Sequence, residues 1–120
     1  MKYARNLTVK VVNGDDSAPL VFKVKMMSTE VALQVVEAIQ DKSLSNKMLL
    51  CVEFLAEHTR SLDGLEEEDG DPIPFPSDMD ERKEILLNLH FDLVSGVMLE
   101  VLSKRCPTPA EAGKYTITVN

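Results

Sequence analysis

The chain has 120 residues, 44% of them hydrophobic and 28% charged, with a formal net charge of -7. One domain with a core of its own is expected at this length, and the apolar content argues against disorder. The acidic balance makes nucleic acid an unexpected partner, because phosphate binding needs clustered Lys and Arg.

Met1 to Asn6 holds no apolar signal core and leads into a strand pattern, so a cytoplasmic protein is expected. Leu7, Val9 and Val11 alternate with Thr8 and Lys10, which is the period of a strand with one buried face. Asn13-Gly14-Asp15-Asp16-Ser17 is a run of turn formers, and Leu20, Phe22, Val24 and Met26 then alternate with Val21, Lys23 and Lys25. An antiparallel hairpin over residues 1–27 follows, its apolar face needing a cover, with Lys10, Lys23 and Lys25 on a solvated face.

Ser28 or Thr29 can cap a short helix through about Gln40, where Val31, Val35, Val36 and Ile39 recur at helical spacing. Ser43 or Ser45 can cap a second helix carrying Met48, Leu49, Cys51, Val52, Phe54 and Leu55, ended by Leu62-Asp63-Gly64. Two helices are thus expected over 28–62. Residues 63–78 read as a loop, with Glu66, Glu67, Glu68, Asp69 and Asp71 crowded ahead of Pro72, Pro74 and Pro76. Like charges repel and prolines hold the backbone extended, so this loop is expected to be mobile or ordered by a partner.

One long helix is expected over 79–105, capped by Ser77, with Asp78, Asp80 and Glu81 near its positive end. Between Ile85 and Leu102 the polar interruptions are few: Asn88, His90, Asp92, Ser95 and Glu100. The apolar positions from Leu93 to Leu102 fill an arc of roughly 180°, so the helix must be covered on most sides. Its charges oppose a membrane span. Residues 106–120 read as a tail whose Tyr115, Ile117 and Val119 alternate with Thr116 and Thr118, a short strand able to join the hairpin or a neighbouring chain. The fold class is α+β: an N-terminal antiparallel hairpin, joined or not by the tail strand, packed against about three helices, the last one long.

No catalytic constellation is legible. There is no glycine-rich phosphate loop, nucleophile elbow or zinc-protease motif, and an enzyme is not expected. Cys51, Cys106, His58 and His90 are wrongly spaced for zinc. The acidic loop lacks the ligand order of a calcium-binding loop, and its prolines oppose wrapping round an ion. Neither metal nor cofactor is expected. The two cysteines read as thiols of a reducing compartment.

Phe22-Lys23-Val24-Lys25-Met26-Met27-Ser28-Thr29-Glu30, Met48-Leu49-Leu50-Cys51-Val52-Glu53-Phe54-Leu55 and the run from Ile85 to Pro107 carry a likeness in element order. The chain resembles the small tail assembly chaperones of long-tailed bacteriophages and prophages. The resemblance implies a non-enzymatic protein that binds the tape measure protein and recruits tail tube subunits in the host cytoplasm, without staying in the virion. The tail strand departs from it. The alternatives are an oligomeric phage tail component, a homo-oligomer paired through the long helix or the tail strand, and a β-grasp-like adaptor.

An apolar helical groove would hold the client's hydrophobic helices. Its candidate contact surface is Phe91, Val94, Met98 and Leu102, with Phe54 and Leu55 opposite. The other reading of these six is that they form the core of the monomer.

Overall fold

A computed structural model describes residues 5–12 and 19–105. The turn at Asn13 to Ser17, Cys106 and the expected tail strand at Tyr115 to Val119 lie outside the described residues. Strand β1 (Asn6–Val11) and strand β2 (Leu20–Lys25) pair antiparallel, with Val9 opposite Phe22 and Leu7 opposite Val24. The alternation works as expected: Val9, Phe22 and Val24 are buried, while Lys10, Lys23 and Lys25 face outward.

Helix α1 (Thr29–Gln40) starts at Ser28, whose hydroxyl accepts from the Val31 N–H at 3.2 Å. Helix α2 (Leu44–His58) starts at Ser43, which accepts from the Asn46 N–H. Both serines do the work of an N-cap, satisfying a donor that the first turn leaves orphaned.

The first correction concerns the end of α2. The helix stops at His58, and Thr59–Asp63 forms strand β3, which adds antiparallel to β2 in the sheet order β1-β2-β3. The strand does not alternate strictly. Thr59 opposes Val24, Ser61 opposes Lys23 and Leu62 opposes Phe22, which leaves Arg60 as the extra residue of a bulge. The bulge lets both Thr59 and Leu62 keep their core-facing places. Gly64 then turns the chain at φ +100°, and a Cβ there would lie 2.2 Å from the Pro19 carbonyl oxygen.

The acidic segment is an ordered turn. The Ile73 N–H donates to Leu65 O at 2.8 Å, the Glu67 N–H to Asp71 O at 2.7 Å and the Gly70 N–H to Glu67 O at 2.9 Å. Glycine at residue 70 supplies the positive φ that closes the turn, and an Asp69 side-chain oxygen accepts from the Asp71 N–H. Backbone pairing thus offsets the charge repulsion, and the carboxylates point into water, where their fields are screened.

The second correction is larger. The long helix over 79–105 is two helices, α3 (Met79–Leu87) and α4 (Phe91–Ser103), bent by 117°. Asn88 caps α3, its backbone N–H reaching Ile85 O and Leu86 O, and His90 caps α4, its Nδ1 accepting from the Asp92 N–H at 3.1 Å. The N-cap of α3 is Asp78 rather than Ser77, and it accepts from the Glu81 N–H at 3.0 Å. Helix α2 packs on β2, α3 and α4, and α4 also covers β1. The α+β class with its N-terminal hairpin therefore stands, with β3 and a fourth helix added.

Candidate functional site

Burial divides the six candidate contact residues. Leu55 and Val94 are fully buried, Met98 and Leu102 are 1% exposed, and all four belong to one core cluster with Phe22, Val52, Leu86 and Val101. They build the monomer's core and cannot offer a surface to a client without unfolding it. Phe91 is half-buried at the start of α4. The expected groove opposite the long helix does not form, because the bend folds α4 down onto the sheet and α2.

Phe54 belongs to the same core cluster and is 8% exposed, and it also lines a surface groove. Its ring stacks on His58 at a centroid separation of 4.1 Å, and the His58 Nδ1–H donates to Phe54 O at 2.9 Å, which fixes the imidazole over the phenyl face. Beside it Val31, Gln34, Val35 and Ala38 of α1 and Leu50, Glu53, Phe54 and Glu57 of α2 line an open groove of about 270 Å³. The pattern follows from the two helices: Ala32 and Val36 turn inward, so the next stripe, Val31, Val35 and Ala38, is left at the seam. Val31 is 39% exposed. The groove is small and open beside the ~300–1,000 Å³ pockets that enclose small molecules, and its apolar floor suits side chains laid in from a partner.

Glu53 and Glu57 stand one helical turn apart on the rim, and neither has an ion-pair partner among the described residues. The rim is therefore negative, and Glu57 also borders a second cleft lined by Lys25, Arg60 and Arg82. Of the candidate contact residues Phe54 lines this groove, and the sequence did not point to Val31, Val35, Ala38 or Leu50, whose spacing looks the same whether a helix buries one stripe or one and a half.

Among the described residues no three His, Cys, Asp or Glu side chains converge as metal ligands. His58 and His90 serve local hydrogen bonds on different elements. Cys51 is buried, and desolvation pushes its thiol up to about 11, so the nucleophilic thiolate is scarce at neutral pH. No single helix among the described residues is long and apolar enough to cross a membrane. No family model, curated protein or solved structure matches the chain.

Proposed function

We propose that the protein is a non-enzymatic tail assembly chaperone of a long-tailed phage or prophage, and that it holds an amphipathic client helix in the α1–α2 groove. The observation that carries the binding reading is that groove, with its apolar floor of Val31, Val35, Ala38, Leu50 and Phe54 and its unpaired Glu53 and Glu57. An apolar floor takes a helix through anchors at i, i+3 or i+4 and i+7. The two carboxylates select a helix whose flank carries Lys or Arg one turn apart, and they reject acidic ones. The tape measure and tail tube assignment rests on the likeness in element order.

Co-expression with tape measure and tail tube proteins of a long-tailed phage tests it. The chain is expected to keep the tape measure protein soluble and to be missing from finished particles. Val31→Glu and Ala38→Glu are expected to abolish the effect while leaving the thermal transition nearly unchanged, since both positions are exposed. Unaltered solubility of the tape measure protein would overturn the chaperone reading, and recovery of the chain from particles would make it a tail component instead.

A further inference from the structure

In a chain of net charge -7, one cleft of about 450 Å³ collects Lys25 from the end of β2, Arg60 from β3 and Arg82 from α3. Glu57, His58 and Thr59 complete its walls. None of the three cations has an ion-pair partner among the described residues. Three cations from three elements against one carboxylate form a local positive site on an acidic molecule.

Two features of the fold build the site. The bulge makes Arg60 the extra residue of β3, breaking the alternation that would otherwise fix its direction, which is the use that bulges have beside binding sites. Arg82 is pinned without being neutralised. Its Nε–H donates to Pro76 O at 2.6 Å, and its Nη1 donates to Ala56 O and to Thr59 O, both at 3.0 Å. The guanidinium also lies 4.7 Å from the centroid of the Phe75 ring. Carbonyl oxygens and a phenyl face orient the group but leave its full charge, and the Nη2 donors have no acceptor among the described residues. Thr59, whose carbonyl helps hold Arg82, turns its side chain to the core, where the hydroxyl has no hydrogen-bond partner among the described residues.

We propose that this cleft binds a single oxyanion, a phosphate or a carboxylate group, with Arg82 as the fixed donor and Arg60 and Lys25 closing over it. A preorganised guanidinium loses little freedom on binding, and charge-assisted N–H···O bonds are the stronger kind. Glu57 is the built-in competitor: its carboxylate lines the cleft, so an anion must displace its influence. The site uses a different cleft and a different ligand chemistry from the client groove, with Glu57 on the boundary of both.

The test is an NMR titration of the full chain with inorganic phosphate and, separately, with acetate, each at constant ionic strength. Saturable shifts at millimolar concentration are expected, centred on the amides of Lys25, His58, Thr59, Arg60 and Arg82. Saturation by phosphate alone would mark a phosphate group as the natural ligand, and saturation by acetate a carboxylate. The double variant Lys25→Gln with Arg60→Gln changes two exposed side chains and should weaken binding about tenfold or more. Glu57→Gln should tighten it. Shifts that never saturate with either anion, or that persist unchanged in the double variant, would overturn the proposal.

Discussion

Helices α3 and α4 come from one stretch that reads as a single long helix, yet they are held in opposite ways. Helix α4 buries Val94, Val97, Met98, Val101 and Leu102, whereas α3 buries only Leu86. In place of further apolar contacts α3 has Arg82, whose guanidinium reaches the Ala56 carbonyl in the last turn of α2, the Thr59 carbonyl just beyond it and Pro76 in the approach to α3. The last carbonyls of a helix lack intrahelical partners and sit at its negative end, so a cation there is favoured twice. One helix is thus held by area and the other by a few directed bonds. Area is forgiving of small shifts; directed bonds are lost as a unit.

Truncation of α4 is the strongest way to break this arrangement. Met98→Ala leaves a cavity in the core and is expected to cost about 2–5 kcal/mol, read as a lower denaturation midpoint with an unchanged slope. A folded Met98→Ala protein that keeps its stability but loses client binding would return that residue to the contact surface. Arg82→Met comes next. It removes the donors but keeps much of the side-chain volume, leaving two or three carbonyls to find water, for an expected loss of about 1–3 kcal/mol. Hydrogen exchange should then accelerate in α3 while α4 stays protected, because a helix with one buried side chain can open alone.

The same contrast decides what the sequence could reveal. The hairpin was legible because Leu7, Val9, Phe22 and Val24 alternate without interruption, and Ser28 and Ser43 announced the two helices behind it. Strand β3 was hidden: Thr-Arg-Ser-Leu-Asp breaks its alternation at the bulge, and the apolar rhythm of α2 runs up to its edge. The bend at Asn88-Leu89-His90 has neither proline nor glycine, and its caps, Asn88 and an unusual N-cap histidine, do not announce it in the sequence. Of the candidate contact residues, Phe54 lines the exposed groove. Met98 and Leu102 were misplaced because an apolar arc reports that a helix must be covered, and never what covers it.

Cys51 offers a titration of the helix on which both α3 and α4 rest. Burial favours its neutral thiol, so the folded state holds the proton up to about 11 whereas an ordinary thiol releases it near 9.0. Between those values the unfolded chain has released a proton that the folded chain keeps, and stability falls as pH rises through that window. Cys51→Ala in a Cys106→Ser background should flatten this alkaline slope relative to the Cys106→Ser parent. An unchanged slope would mean that solvent reaches the thiol in the folded protein.

The smallest expected effect lies on the outer face of α4. Leu99 is 45% exposed although it sits beside Met98, which is 1% exposed, so burial changes almost completely over one residue. If area alone holds this helix, a substitution that removes none of it should be nearly silent. Leu99→Ser should shift stability by no more than about 0.5 kcal/mol by denaturant titration, and should slightly raise solubility. A loss several times larger would show that Leu99 is covered in solution by another copy of the chain. In that case the loss should shrink on dilution, as the unsubstituted protein gives up the same contact by mass action.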